Sequence, residues 1–216
     1  MRWLLLAVFG CATAIAQPMP SNISLAAIRT DEKERDQREK IPDLVKALGL
    51  KPGSVVGDLG TGYGYYAARF AKIVGPKGRV YAEEIDRPLL DKVRQRMKAE
   101  GVGNVEYLLG TPDDPGFPSG QLDAVIISDV YHEIEHPASV LAAVRRALKP
   151  GGLLLVVDYL KPEAGTKSRS EQVKDHNIGP GFVEEELAKA GFAVLERRAP
   201  YCPGYDGIPT YYILAR

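Results

Sequence analysis

The sequence predicts an α/β chain: a doubly wound, Rossmann-like sheet, mostly parallel, closed by one antiparallel strand at its C-terminal end. Three observations carry this. The apolar run Val55-Val56-Gly57-Asp58-Leu59 ends in Gly60-Thr61-Gly62-Tyr63-Gly64, and a helix-compatible run from Tyr65 to Val74 follows. Strand, glycine turn and helix make the nucleotide-binding corner of such sheets. Beyond this corner strands and helices alternate, which implies parallel strands with right-handed crossovers. The last two strand-like runs are joined by a loop of Pro, Gly and Tyr with no helix, so they pair antiparallel.

The elements follow from spacing. Residues 17–30 read as an extended lead-in. Asp31 to Lys40 is charged and helix-favouring, and Ile41, Leu44, Val45 and Leu48 then recur at helical spacing. Pro42 is placed to split this helix, and Gly49 with Pro52-Gly53 ends it. Strands are expected at Val55–Leu59, Arg79–Glu84, Val105–Leu109, Leu122–Ser128 and Leu153–Asp158. Helices start near Tyr65, Pro88 and Pro137, with core stripes Leu89/Val93/Met97 and Val140/Val144/Leu148. A helix from about Gly181 to Ala190, a strand at Phe192–Arg198 and a final strand at Thr210–Ala215 complete the chain.

The length of 216 residues suits one domain with a sizeable core. Lys+Arg and Asp+Glu number 28 each, so no basic excess points to nucleic acid. Arg2, the apolar run Trp3 to Phe9 and Ala14-Ile15-Ala16 read as a secretory signal peptide cut after Ala16, too short to span a membrane as a mature helix. The expectation is an exported protein, periplasmic or secreted, with residues 31–216 as its functional domain and no membrane contact after cleavage. Cys202 is then the one cysteine left, which excludes an internal disulfide and reads as structural.

A dinucleotide fingerprint places its third glycine five positions after the first, where this chain has Tyr65. The Asp-x-Gly-x-Gly-x-Gly run from Asp58 to Gly64 instead resembles motif I of the class I S-adenosylmethionine-dependent methyltransferases, and the parallel sheet with one antiparallel strand is similar to their seven-stranded fold. The turn Lys149-Pro150-Gly151-Gly152 is frequent in that family, specifically in the quinone-biosynthesis and arsenite types; Gly151 or Gly152 is expected to end the helix and start the strand. The resemblance covers about Ile41 to Arg216. It implies S-adenosylmethionine as cofactor and a small-molecule methyl acceptor.

Ligands of open α/β sheets lie at the carboxyl ends of the strands. After the first strand these are Asp58, Gly60, Thr61, Gly62 and Tyr63. At the end of the second stands Glu84, whose carboxylate can accept two hydrogen bonds from vicinal ribose hydroxyls. Neighbouring Glu83 points to the opposite face. Glu84-Ile85-Asp86 matches the family's acidic pattern, which implies that Ile85 packs on the adenine. After the third strand the family usually carries Gly-Asp-Ala; here Gly110-Thr111-Pro112-Asp113 stands instead, so Thr111 or a nearby aspartate takes the adenine contact. After the fourth come Ser128, Asp129, Tyr131 and His132. The resemblance places this segment at the methionine end of the cofactor and the substrate mouth.

Methyl transfer needs alignment in a dry pocket. Tyr63, Tyr65, Tyr66 and Tyr131 are candidates for an aromatic wall around the sulfonium. His132 is the expected base for a hydroxyl or acidic acceptor, with Tyr131 beside it. The charged helix near Asp31–Lys40 and the polar segment Lys161 to Gly179 are placed to cover the site. No carboxylate set resembles the magnesium site of catechol methyltransferases, so no metal is expected. His132-Glu133-Ile134-Glu135-His136 also spells the zinc peptidase pattern, which requires both histidines on one face of a continuous helix. Pro137 fits a helix start, which argues against it. The alternative to catalysis is a chain that keeps the fold and pocket but not the reaction, a reading the Thr111 departure favours.

Overall fold

In a computed structural model, the structure describes residues 25–161, 166–204 and 207–216, with side chains from residue 32 onward. The expected signal peptide lies outside the described residues. Two helices, α1 (Leu25–Arg38) and α2 (Ile41–Ala47), lead in. Then come β1 (Val55–Leu59), α3 (Tyr65–Val74), β2 (Arg79–Glu84), α4 (Arg87–Ala99), β3 (Val105–Leu109), β4 (Leu122–Ser128), a 3-10 turn at Tyr131–Glu133, and α5 (Pro137–Ala147). The chain ends with β5 (Leu148–Tyr159), α6 (Arg169–Lys174), α7 (Pro180–Lys189), β6 (Val194–Arg198) and β7 (Thr210–Ala215).

The seven strands stand in the order β3-β2-β1-β4-β5-β7-β6. β1 through β5 pair in parallel, and β7 runs antiparallel to both β5 and β6. Order reverses between β1 and β4, so the crevice of a doubly wound sheet opens at their carboxyl ends. The register puts the ends of β1, β2 and β4 level there: Leu59 lies opposite Glu83 on one side and Ile127 on the other.

Each face of the sheet buries its own core. One joins Leu44 of α2, Phe70 of α3, and Val93 and Met97 of α4 to Val56 and Val80. The other joins Leu141 and Val144 of α5, and Val183 and Leu187 of α7, to Val125 and Val156. Each such fully buried side chain contributes about 1.5–3 kcal/mol.

The structure corrects the sequence expectations in four places. Residues 25–30 of the expected lead-in are helical. The helix split falls at Lys40, left-handed with φ 45, because Pro42 fits the first turn of a new helix. The α4 stripe runs through Leu90, not Leu89. Neither glycine of Lys149-Pro150-Gly151-Gly152 ends a helix: α5 stops at Ala147, and β5 is already extended at Leu148, paired with Leu122 across a register shift. Cys202 is buried against the Thr210 hydroxyl at 3.2 Å, a packing position.

Candidate cofactor cleft and acceptor site

The glycine loop is built from β1 outward. Asp58 is 2% exposed, and its Oδ2 accepts from the Thr61 hydroxyl at 2.6 Å and from the Ala67 N–H at 3.0 Å, tying loop to helix. Burial pushes its carboxyl up to about 6, against those two hydrogen bonds. Asp58 thus shapes the loop from below. Gly60 has φ 67, and a Cβ there would meet Val130 at 2.5 Å. Gly62 has φ 54 with open space where a Cβ would stand, so the loop crest faces the crevice bare.

Two carboxylates from consecutive residues hold this loop from opposite sides, as strand alternation requires. Glu83 accepts from the Gly60 N–H at 3.1 Å and lies against Gly110, where a Cβ would touch its carboxylate. Burial pushes Glu83 up to about 8, with Glu84 and Asp58 adding to the effect and the Gly60 N–H opposing it. Glu84 accepts from Gly62 N–H at 3.2 Å, Ile85 N–H at 2.9 Å and Asp86 N–H at 3.2 Å. Burial raises its pKa against these three donors. They fill three of the roughly four acceptor sites a carboxylate offers, so gripping two ribose hydroxyls requires exchange of the Gly62 bond. Ile85 is 58% exposed and Leu109 42%. They lie at the carboxyl ends of the paired strands β2 and β3, an apolar shelf beside Glu84. Thr111 and Pro112 are exposed at the rim, and the Thr111 hydroxyl is engaged locally with Asp114 N–H and C=O.

The helix α1 packs over the start of α3. Arg96 holds Glu32 through two hydrogen bonds of 2.7 and 2.9 Å and donates to the Tyr63 carbonyl at 2.7 Å. Tyr65 donates to Asp36, and Tyr66 to Glu39. Arg35 and Arg69 stand 4.0 and 3.7 Å from the Tyr65 ring centroid, so two guanidinium groups already occupy its π system. Arg35 also lowers the pKa of Asp58 and Asp129 electrostatically, a cation that the sequence did not single out.

The second half of the site lies at the ends of β4 and β5. Ser128 donates to the Tyr66 hydroxyl at 3.2 Å. Asp129 follows at φ 58, a left-handed strain that non-glycine residues seldom adopt. Its side is open to solvent, yet crowding by surrounding protein, then Asp158, pushes its carboxyl up to about 7. His132 is 5% exposed and Asp158 1%. Asp158 accepts from His132 Nδ1 at 2.9 Å, from His132 N–H at 3.0 Å and from Tyr159 N–H at 2.7 Å. A carboxylate only accepts, so Nδ1 carries the proton and neutral His132 keeps its lone pair on Nε2. Burial works to lower the His132 pKa; Asp158, with Asp129 and Glu133, more than reverses this and raises it.

One expectation fails here, and the motif argued against from Pro137 is ruled out. Tyr131 has no exposed surface: it is turned into the core under the 3-10 turn, and its hydroxyl donates to Glu186 of α7 at 2.9 Å. It neither reaches the cleft nor shares a wall with Tyr65 and Tyr66, which belong to the core of the other face. The zinc peptidase pattern fails as well, because His132 sits in the 3-10 turn while His136 precedes α5. The reasoning from sequence missed Asp158 and His176. Asp158 stands at the carboxyl side of β5, where the strand-end rule would have found it. The His176 ring lies 6.1 Å from that of His132, and its sequence position gives no sign of this.

Residues 57–156 match a family model described as a methyltransferase domain. The ubiquinone/menaquinone biosynthesis C-methyltransferase UbiE of Vibrio cholerae is 36% identical over 119 residues, 55% of this chain and 46% of that protein. The UbiE of Pasteurella multocida is 35% identical over 141 residues, 65% and 53%. The chain thus spans about half the length of these relatives. Among solved structures, a SAM-dependent methyltransferase from Aquifex aeolicus aligns with TM-score 0.69 and 25% identity, over 86% of this chain and 96% of that one. The [4+2]-cyclase SpnF shares the fold at TM-score 0.68 and 19% identity, over 82% and 80%. Matched sequence and shared sheet converge: residues 57–156 are similar to a methyltransferase domain, and the sheet that carries them has the fold of a SAM-dependent methyltransferase.

Proposed function

We propose that this chain transfers the methyl group of S-adenosylmethionine to a small-molecule acceptor. The observation that carries this is the juxtaposition of two half-sites at the sheet's switch point. One is the bare Gly62 crest beside Glu84; the other is the His132–Asp158 pair one strand further on. The residues present fit the cofactor: a carboxylate for the ribose, an apolar shelf of Ile85 and Leu109 for the adenine, and a glycine crest that admits close approach. Bound there, S-adenosylmethionine supplies an electrophilic methyl group on a sulfonium. Asp58 and Glu83 hold the loop, and Glu84 and Ile85 orient the nucleoside. Gly60, Thr61, Tyr63, Ser128 and Asp129 surround the methionine end. With Nδ1–H held by Asp158, His132 presents Nε2 to the acceptor and accepts its proton there when that nitrogen is unprotonated. The quinone methyltransferases among the relatives and the absence of a basic excess support a small acceptor.

The local engagement of the Thr111 hydroxyl favours a second reading, a pocket that binds without catalysis. Calorimetry with S-adenosylhomocysteine on the full chain separates the possibilities. Binding is expected, weakened about tenfold by Glu84→Gln through loss of charge-assisted hydrogen bonds to the ribose. No binding would refute the proposal; binding without product on a broad acceptor panel would favour the silent pocket. The proposal retains residues 1–16 as an export signal, which the N-terminal sequence of the mature protein checks: cleavage after Ala16 leaves Gln17 first.

A further inference from the structure

The lone pair on His132 Nε2 has company that the sequence concealed. A ligand nitrogen of His132, one of His176 and a carboxylate oxygen of Glu133 all lie within 4.8 Å of one another. His132 Nδ1 is committed to Asp158, and Nε2 stands 3.9 Å from Glu133 Oε1. His176 is brought there by contacts unrelated to sequence proximity. Lys161 donates to the Asp175 and His176 carbonyls at 3.1 and 3.2 Å, and Arg169 donates to the Ile134 carbonyl at 2.8 Å, docking α6 on the segment that follows the 3-10 turn. The His176 backbone is left-handed, with φ 47.

We infer that His132, Glu133 and His176 form a divalent transition-metal site at the acceptor mouth, with Asp158 as the group that orients His132. Two imidazoles and one carboxylate with positions left open are the donor set of catalytic zinc and non-haem iron(II). A carboxylate on the far ring nitrogen of a ligating histidine fixes its tautomer and strengthens its donation. Ligands on a tetrahedral zinc with bonds of about 2.1 Å stand about 3.4 Å apart, so closure takes about an ångström of movement. Glu133 and His176 are exposed and free to supply it, while His132 is the buried anchor. Asp129 groups with His132 and Asp158, whose carboxylate already occupies Nδ1.

The site differs from the peptidase pattern, since His136 plays no part. It rests on the acceptor-side placement of His132 proposed above: with the ion bound, that residue's lone pair holds the ion and the ion activates the acceptor; without it, the lone pair is left to take the acceptor's proton. It also names an acceptor class: a small molecule with a hydroxyl or thiol that can ligate the ion. An ion there lowers the pKa of such a group, whose proton leaves to water while the oxygen or sulfur keeps its electron pair for methylation.

The test uses full-length protein stripped with a chelator and titrated with zinc against a chromophoric competitor, and with cobalt followed by its visible bands. One ion per chain is expected, with tetrahedral-type cobalt absorption. His176→Ala should abolish the bands, Asp158→Asn should weaken zinc about 10- to 100-fold, and His136→Ala should leave both unchanged. No uptake, or uptake undiminished in His176→Ala, overturns the site. Binding of S-adenosylhomocysteine, measured on the same stripped samples, reports folding and the cofactor proposal separately: losing that binding while zinc uptake persists would strike the functional reading and leave the metal site standing.

Discussion

The two halves of the cleft are made differently. At the ends of β1 and β2, the site is backbone held by carboxylates over short sequence distances: Gly62 to Glu84 spans 22 positions and Asp58 to Ala67 nine. At the ends of β4 and β5, the site is side chains gathered from separate segments: His132 from the 3-10 turn, Asp158 from β5, His176 from beyond α6. The first half depends on conformations only certain residues adopt. The second depends on which side chains meet.

The comparison breaks most violently at Gly60. An alanine there would hold a Cβ at φ 67 and 2.5 Å from Val130. The left-handed backbone costs about 1–2 kcal/mol and overpacking about 1–3 kcal/mol more. Gly60→Ala should therefore lower stability by about 3 kcal/mol and weaken S-adenosylhomocysteine about 100-fold or more, read by thermal melting and calorimetry. If binding survives intact, the loop does not govern the cofactor half. His132→Ala should do the opposite. Turnover should fall about 100-fold while the Kd for S-adenosylhomocysteine stays within about threefold, measured once an acceptor is in hand. A parallel loss of both would mean that the halves are not separable; full activity would remove His132 from the chemistry.

What could be read from the sequence follows the same line. Every strand from β1 to β4 and the β7 span were legible because apolar runs bounded by glycine and proline are local signals. The glycine loop and the place of Glu84 at the crevice were legible because both are set by backbone geometry and by position at a strand end. Tyr131 was misplaced because a one-residue step in a tight turn decides between cleft and core, and Tyr131 and His132 go opposite ways. His176 was invisible because its approach depends on how α6 docks through Arg169 and Lys161, contacts that no periodicity encodes. Arg35 went unnoticed among the charges of α1, where composition reads as a solvated helix until Tyr65 and Glu39 are seen to gather around it.

The smallest expected effect sharpens the cofactor half, where Glu83 and Glu84 have the same chemistry and opposite sides. Glu83, 2% exposed, has its carboxyl raised from 4.5 to about 8, first by burial. Between these values the folded chain holds a proton that the unfolded chain releases, so stability falls as pH rises through this window and the loss is complete above about 8. Glu83→Gln keeps an oxygen to accept from Gly60 N–H and carries no charge to bury. Its melting temperature should match the parent near pH 5 and exceed it above pH 8, by about 2–4 °C for each kcal/mol of stability that the parent has lost. Melting curves across that range check the sign. A gap that does not widen with pH would mean that Glu83 is ionised throughout, its charge met by the Gly60 N–H, and that it holds the loop as a carboxylate rather than as a neutral acid.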